Sequence, residues 1–294
     1  MAKKKSKHYP VVTKSPLSSG AAANTLVDTA RNLSVLNRRL YRYGRNYEVK
    51  IDLRNDFAGQ VEVFALRDDW AVQKAFQVAY QQYLDNTIDE REHVASGQVA
   101  RWEDFRIRDG LTLAKNDARP VMHTPAGAAS VLTSGEFIFS KVEDAAGVQR
   151  TFTWGAGAAD RYGILEEYDK MGSAQTTPEN IEAGRAYGDI SADVDDGIIG
   201  TLQNDGDNPP YVETGVNQGT PWVRIATLGS TVGTQKLSSG FFTAPCGLVL
   251  LVGYGSDEPN FSASLEAKTG DYKGVHAPSM IEVATVNRKR KVVK

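Results

Sequence analysis

Strict alternation of apolar and polar residues is the feature that most constrains this chain. In the segment YEVKIDL, Tyr47, Val49, Ile51 and Leu53 fall on one side of an extended backbone, and charged residues fall on the other. A period of two residues predicts a β-strand with one buried face. Comparable signals predict further strands at 60–66, 135–142, 149–154, 221–228, 247–254, 261–267 and 280–286, with 102–113 as an additional candidate.

One long segment has a helical pattern instead. Residues 69–94 contain neither Gly nor Pro, and apolar residues such as Trp70 and Phe76 recur on one side. Asp68 or Asp69 suits the beginning of this helix, because a carboxylate can cap the first turn and complement its dipole. We therefore predict one helix inserted among the strands.

The strands do not alternate regularly with helices, which argues against a doubly wound α/β sheet. Residues 167–220 are rich in Gly, Asp, Asn and Pro and predict a long loop, a kind of segment that often carries function. The fold class that we predict is all-β. It is a single jelly-roll β-sandwich of about eight antiparallel strands, with an inserted helix near 69–94 and a loop-rich insertion near 167–220.

Charge is distributed unevenly along a chain whose formal net charge is only −2. Residues 1–50 carry 11 Lys or Arg against two acids, and the last eight residues carry five basic residues and no acid, which leaves −16 for the middle. Residues 1–30 also lack a periodic apolar pattern and predict disorder. The expected parts are a basic, largely disordered arm over 1–45, a jelly-roll domain over 46–286 and a basic tail over 287–294.

The basic segments match the chemistry of nucleic-acid binding. Lys and Arg attract phosphates, and the arginine fork fits two phosphate oxygens. The block RRLYRYGRNY adds Tyr41 and Tyr43, whose rings suit stacking on unpaired bases, whereas Tyr47 alternates with Val49 and is expected in the core. Charged ends that only aid solubility are the alternative. The predicted nucleic-acid-binding residues are Lys3, Lys4, Lys5, Lys7, Arg31, Arg38, Arg39, Arg42, Arg45, Arg288, Lys289, Arg290 and Lys291.

Acidic residues in the long loop form the one candidate metal site. Clustered carboxylates suit a hard cation such as Ca²⁺, here at contacts between subunits, although the spacing is not that of an EF-hand. A solvated acidic loop and paired-carboxylate catalysis are the alternatives. The candidate ligands are Asp193, Asp195, Asp196, Asp205 and Asp207.

The motifs of common enzymes are missing from the sequence. The four histidines do not have metal-ligand spacing, and there is no nucleophile elbow, Walker loop or dinucleotide fingerprint. We therefore predict no enzyme activity and no other cofactor. The single cysteine, Cys246, precedes an apolar run and is expected to be buried and inert. No apolar run is long enough for a bilayer span, and the first residues lack the apolar part of a signal peptide, so we expect synthesis inside the cell and no membrane partner.

Two segments carry a resemblance to a known group of proteins. NLSVLNRRLYRYGRNYEVKIDL (32–53) and VARWEDFRI (99–107) look like capsid protein segments of small circular single-stranded DNA viruses, with the bacilladnaviruses nearest. The resemblance implies a nodavirus-like jelly roll, an icosahedral shell of many copies, a packaged genome of single-stranded DNA rather than RNA, and an unidentified host receptor. It also implies location in the virion, and in the host nucleus or cytoplasm during assembly. The arm departs from the group in containing few arginines.

Two other classes of protein fit parts of the same pattern. One is a nucleic-acid-binding protein that forms no shell, because basic ends alone bind polyanions. The other is a β-sandwich component of a phage tail or an adhesin, because the alternating strands do not identify a function.

Overall fold

The structure is a computed structural model, and it describes most of the chain in nine stretches. These are residues 11–18, 24–53, 59–87, 102–135, 137–144, 147–173, 221–231, 234–254 and 262–281. The helices are α1 (Thr29–Asn37), α2 (Trp70–Asn86) and α3 (Ile164–Ser173). The strands are β1 (Lys14–Pro16), β2 (Asn24–Asp28), β3 (Asn46–Leu53), β4 (Gln60–Leu66), β5 (Asn116–Asp117), β6 (Val121–His123), β7 (Ala129–Val131), β8 (Lys141–Glu143), β9 (Gln149–Thr153), β10 (Arg161–Gly163), β11 (Trp222–Thr231), β12 (Thr234–Lys236), β13 (Phe242–Pro245), β14 (Leu248–Tyr254), β15 (Ala263–Ala267), β16 (Thr269–Gly270) and β17 (Gly274–Val275).

Two sheets make up the main body. The strand order is β1-β15-β3-β13 in the four-stranded sheet and β12-β11-β4-β14-β2-β5 in the six-stranded sheet. All neighbours in these sheets are antiparallel except β2 and β5. The structure is mostly β-strand with few helices, which confirms the all-β prediction.

The core lies between these two sheets and follows from the alternation in the sequence. On β3, Tyr47, Val49 and Ile51 are buried while the residues between them are partly exposed, as the pattern of the segment predicted. They join one apolar cluster with side chains of the other sheet, such as Val63 and Leu251. Burying each aliphatic side chain contributes about 1.5–3 kcal/mol, so this shared face is the main force holding the two sheets together.

A second apolar cluster packs at one end of the body. It combines the inner face of α2, including Phe76, with Trp154 and with Ile164 at the start of α3. Asp69 caps α2 by accepting the Val72 N–H at 2.9 Å, which confirms the predicted beginning of the helix. The helix has ended by Thr87, and the remainder of the predicted 69–94 segment lies outside the described residues.

The turn between β13 and β14 leads the chain from one sheet to the other. The Gly247 N–H donates to the Ala244 carbonyl at 2.9 Å, and Cys246 has a left-handed φ of 57°. Cys246 is fully buried, as its position before the apolar run predicted. Burial raises the pKa of its thiol well above the ordinary value, so the thiol stays protonated at neutral pH.

The folded body begins earlier than the predicted boundary at residue 46. Strand β2 pairs with β14 along its whole length, and α1 follows it directly, so residues 24–45 belong to the body rather than to a disordered arm. The prediction of disorder was wrong here because a five-residue central strand in a sheet buried on both sides has no alternating pattern. Residues 1–10 and 282–294 lie outside the part of the chain that the structure describes.

Two other predictions of local structure were wrong, and a third was wrong only at its beginning. Of the predicted strand 135–142, only the end belongs to β8, and Ile138 is exposed. Residues 102–113 form no strand, although Arg108 makes an isolated bridge to Thr153. The predicted loop at 167–220 begins inside α3, and residues 174–220 lie outside the described residues. The strands predicted at 60–66, 149–154, 221–228, 247–254 and 261–267 correspond to β4, β9, β11, β14 and β15.

Candidate nucleic-acid interface

The arginine segment, residues 38–45, connects α1 to β3. Arg38 is the C-cap of α1 with a left-handed φ of 50°, and this conformation turns the chain out of the helix. The side chains of Arg38 and Arg42 are exposed, and no carboxylate among the described residues lies within ion-pair distance of either. Arg39 is partly buried beside them. These residues therefore present positive charge to solvent, as a phosphate site requires.

Two of the predicted phosphate-binding arginines have structural partners instead. Arg31 pairs with Asp117, with 3.0 Å between Nη1 and Oδ2. The Arg45 guanidinium lies 3.4 Å from the ring centre of Tyr272 and donates to the Ala277 carbonyl at 2.7 Å. Both side chains join distant parts of the fold and help to stabilise it, and phosphate binding by either stays a prediction.

The predicted stacking of Tyr41 and Tyr43 on bases was wrong, because both rings are buried. The Tyr41 hydroxyl donates to the Lys273 carbonyl at 3.0 Å. The Tyr43 hydroxyl donates to the Ile107 carbonyl at 3.1 Å and accepts the Trp154 indole N–H at 3.0 Å. Burial raises the pKa of both phenols, most strongly that of Tyr43. Tyrosines in a basic block were expected at the surface, but here they anchor that block to the core.

A cleft of about 1030 Å³ opens beside the arginine segment. Its walls come from four stretches of chain, which are the end of α1 with Arg38 and Arg39, the end of α2 with Tyr83 and Thr87, residues between 102 and 106, and residues between 133 and 141. The two segments that carry the resemblance, 32–53 and 99–107, therefore meet in this cleft. Trp102 lies in its wall with 62% of its surface exposed, and Phe139 and Lys141 are also exposed. Positive charge and exposed aromatic rings thus share one concave surface.

The floor of the cleft is held by a buried ion pair between Arg106 and Asp28. Asp28 also caps α1 by accepting the Arg31 N–H at 2.8 Å, so one carboxylate joins the helix to the 102–106 segment. The Arg106 guanidinium lies between the rings of Tyr43 and Phe137, 5.0 and 4.7 Å from their centres. In the part of the chain that the structure describes, its Nε and Nη1 have no hydrogen-bond acceptor. These contacts fix the position of the segment that carries Trp102.

Asp104 places a titratable group next to this floor. Its carboxylate accepts the Tyr43 N–H at 2.8 Å. Burial raises the pKa of Asp104 to about 6, against that hydrogen bond and the positive charges of Arg106 and Arg42, which lower it. Asp104 is therefore mostly ionised at neutral pH and becomes neutral in mild acid, which makes the region around the cleft more positive.

Lys273 joins the positive region from a distant part of the sequence. Its ammonium donates to the Leu40 carbonyl and lies over the rings of Tyr272 and Tyr41. Burial lowers the pKa of Lys273, and the nearby charges of Arg42 and Arg45 lower it further. A lysine that is destabilised by neighbouring cations indicates a region in which positive charge is not fully balanced.

The sequence-based reasoning missed Trp102, Phe139, Lys141 and Lys273 as members of this surface. Trp102 and Phe139 were included in segments predicted as strands, and the lysines are too far from the arginine segment in sequence to be grouped with it. The one local signal was the resemblance of the VARWEDFRI segment, and it concerned Trp102 alone. Of the predicted residues, Lys3, Lys4, Lys5, Lys7, Arg288, Lys289, Arg290 and Lys291 lie outside the described residues.

The predicted calcium ligands, Asp193, Asp195, Asp196, Asp205 and Asp207, also lie outside the described residues, so calcium binding stays a prediction. Within the described stretches, no group of three or more His, Cys, Asp or Glu residues is arranged to hold a metal ion. In the same stretches, none of the helices has the length and apolar character needed to cross a membrane.

Comparison of the chain with protein-family models, with curated proteins and with solved structures gives no match.

Proposed function

We propose that this chain is the coat protein of a small icosahedral virus, and that it packages the genome through its basic segments. The single observation that carries the proposal concerns the two ends of the described chain. Val12 is hydrogen-bonded to Asn37, immediately before the arginine segment, and Met280 is hydrogen-bonded to Gly44 within it. In this proposal the basic residues at both ends of the sequence act on the side of the body that carries Arg38 and Arg42. A coat protein needs such a one-sided distribution, because only its inner surface meets the genome.

The chain enters and leaves the described fold through hydrogen bonds to the same short stretch. Near the beginning, the Val12 N–H donates to the Asn37 side chain at 2.8 Å, and the Asn37 amide donates back to the Val12 carbonyl at 3.0 Å. Near the end, the Met280 N–H donates to the Gly44 carbonyl at 3.2 Å. Val12 and Met280, near the two ends of the described chain, therefore contact neighbouring parts of residues 37–44.

The strand pairing supports a jelly roll as the finer description of the sandwich. A jelly roll is a long hairpin of eight strands that has been rolled into two sheets, so that the first strand pairs with the eighth and the fourth with the fifth. Taking the eight strands of the body in chain order, the antiparallel pairs are β1 with β15, β2 with β14, β3 with β13 and β4 with β11. The stretch with α2, α3 and the small sheets then lies between the fourth strand and the fifth. Jelly rolls occur in viral capsid and lectin domains, and this pairing supports the coat-protein proposal.

The mechanism that follows is electrostatic gathering of the genome by an otherwise acidic protein. Each Lys or Arg that neutralises a phosphate releases a counterion, and this drives binding whatever the base sequence. Residues 51–286 have a net charge of −16, so neighbouring subunits repel one another at low salt. Packaged nucleic acid, bound to the basic tails, offsets that repulsion and favours closed shells. Single-stranded DNA is the proposed genome, and the proposed location is the virion.

A nucleic-acid-binding protein that forms no shell is the second candidate, because the basic surface and cleft serve that role equally well. Electron microscopy and light scattering of the purified full-length protein, with and without single-stranded DNA, distinguish the two. The coat proposal predicts closed particles of one uniform diameter. A protein that binds DNA but stays monomeric at every concentration would support the second candidate and contradict the first.

A further inference from the structure

We infer that the cleft binds an unpaired nucleotide of a single strand, with its base stacked on Trp102 and its phosphates held by Arg38 and Lys141. This inference rests on the proposed function, and it adds a defined site and a preference for unpaired strands to a general attraction for polyanions. It also moves base stacking from Tyr41 and Tyr43, which are buried, to rings that are exposed to solvent.

The aromatic wall of the cleft is the first reason. Trp102 is 62% exposed, and Phe139 is exposed in the same cleft. Leaving rings of this size in water forgoes the stabilisation that their burial would provide. The Arg108 guanidinium lies 5.7 Å from the Phe139 ring centre, so this ring already has a cation beside it. Exposed rings beside cations are the arrangement by which proteins hold single strands, because every base offers a flat face to stack on.

The charge of the cleft is the second reason, and it selects nucleic acid over an apolar partner. Most cations that the structure describes on the strands of the main sheets are paired with carboxylates, as Lys50 is with Asp52 and Glu266. Arg38 and Lys141 are exposed in the cleft, with no described carboxylate within ion-pair distance. An apolar protein segment in this cleft would cover these charges without compensating them, whereas a phosphate compensates them directly.

The carboxylates of the cleft already have donors. Glu103 accepts the Tyr83 hydroxyl at 3.0 Å, and Asp104 accepts the Tyr43 N–H at 2.8 Å. Their negative charge is partly satisfied within the protein and repels an incoming phosphate less than two free carboxylates would. The ion pair of Arg106 with Asp28 keeps the floor rigid, so little conformational freedom is lost when a nucleotide binds.

Size and shape favour an unpaired strand over a duplex. A volume of about 1030 Å³ lies at the upper end of ordinary ligand sites, so it accommodates a base together with its sugar and phosphate. In a duplex both faces of each base are covered by its neighbours in the stack, so the ring of Trp102 has no base face to meet. The basic tails bind both forms, but the cleft binds only the single strand.

The test compares the full-length protein with its Trp102→Ala variant, using a short labelled oligothymidylate and a labelled duplex of equal length. Fluorescence anisotropy gives both affinities at the same salt concentration. Loss of base stacking is expected to weaken single-strand binding about five- to hundredfold. Duplex binding should stay within about twofold, because it depends on phosphate contacts alone. Trp102→Phe keeps an aromatic face and should retain most of the single-strand affinity.

Trp70→Ala is the matched control. Trp70 is also exposed, at 56%, but it packs edge-on against Tyr168 and does not line the cleft. Its replacement should change neither affinity. The inference is overturned if Trp102→Ala leaves single-strand binding unchanged, or if it weakens single-strand and duplex binding equally.

Particle formation is scored separately for each variant. If wild-type particles form and package DNA while Trp102→Ala binds single strands normally, the inference fails and the coat proposal stands. If no variant forms particles but Trp102→Ala loses its preference for single strands, the coat proposal fails and the cleft assignment stands. If Trp102→Ala loses only assembly, the cleft takes a neighbouring subunit and the inference is overturned.

Discussion

Asp28 caps helix α1 with one carboxylate oxygen and binds Arg106 with the other, although the two residues are 78 positions apart in the chain. Both side chains are buried. Because a buried charge is stable only beside its partner, this pair fixes the 102–106 segment against the end of α1. The cleft and the arginine segment both depend on that attachment.

Replacing Arg106 with Met should destabilise the protein by about 3–5 kcal/mol, because it leaves the carboxylate of Asp28 buried without a cation. Urea denaturation followed by circular dichroism measures the loss. Asp28→Asn keeps a side-chain oxygen for the helix cap. The double variant should therefore be more stable than the sum of the two single losses predicts, by more than about 1 kcal/mol.

Arg224→Met is the control for this cycle, since Arg224 forms a solvent-exposed pair with Glu62 at 2.6 Å. Its removal should cost less than about 1 kcal/mol. Additive losses for Arg106→Met and Asp28→Asn would contradict the coupling that we describe.

Protonation of Asp104 should stabilise the wild-type protein in mild acid. The free energy of unfolding of the wild type, compared with that of an Asp104→Asn variant, should therefore be higher in mild acid than at neutral pH. The pKa of Asp104 is about 6 in the folded protein, against an ordinary 3.8. The folded state therefore holds the proton more tightly than the unfolded chain does. This stabilisation is complete below about pH 4 and is lost as the pH rises through 6. The stability of Asp104→Asn relative to wild type should rise by about 1–3 kcal/mol across that window.

Asp52→Asn serves as the control. Its stability relative to the wild type should fall, not rise, as the pH increases through the range in which Asp52 ionises. Burial acts to raise the pKa of Asp52, but hydrogen bonds from Ser238 and Lys50 outweigh it and lower the pKa. Its contribution is present above the ordinary pKa and is lost as the pH falls below it. Urea denaturation at several pH values gives the free energy of unfolding of both variants. If this free energy has the same pH dependence in the wild type and in Asp104→Asn, the raised pKa of Asp104 is refuted.

Charge reversal in the arginine segment should reduce packaging without unfolding the protein. Arg38→Glu with Arg42→Glu removes two exposed, unpaired cations and adds two anions, so phosphate binding weakens and its dependence on salt becomes shallower. The ratio of absorbance at 260 and 280 nm of purified particles measures packaged nucleic acid. A matched variant with Lys74→Glu and Arg119→Glu, two exposed cations outside the segment, should package more than the first. Equal packaging by the two variants would show that only net charge matters.

Truncation should separate the tails from the folded body. Deleting residues 1–10 and 287–294 removes basic residues while leaving the described strands and helices intact, so particles should still form with less nucleic acid. Deleting residues 1–45 removes β1, β2 and α1 and should abolish folding, because β2 is hydrogen-bonded to β14 inside a sheet. Circular dichroism and electron microscopy score both deletions. Folded particles from the longer deletion would contradict the position of β2.

The strands with clear alternation could be predicted from sequence because their burial pattern is local. Residues 46–53 alternate in the structure as they do in the sequence, and β4 has the predicted bounds. The beginning of α2 at Asp69 was likewise a local signal, since a cap needs only its own first turn. The all-β class followed from these local signals and is confirmed, whereas the jelly roll was expected from the resemblance and the number of strands and stays a proposal.

The candidate site was harder to predict because its members come together only through long-range contacts. The ion pair of Asp28 with Arg106 and the hydrogen bond of Tyr41 to Lys273 join residues that no sequence spacing connects. The tyrosines of the arginine segment were misplaced for the same reason. A tyrosine in a basic block is expected to be exposed. Its burial becomes evident only when its distant partner is known, and for Tyr43 that partner is Trp154.

Cryo-electron microscopy of nuclease-treated particles tests the central claim most directly, since it shows both the shell wall and the direction of the arginine segment. We predict a closed icosahedral wall made of the two main sheets, with Arg38 and Arg42 facing internal nucleic-acid density. A protein that forms no particles, or particles in which Arg38 and Arg42 face outward, would contradict the account.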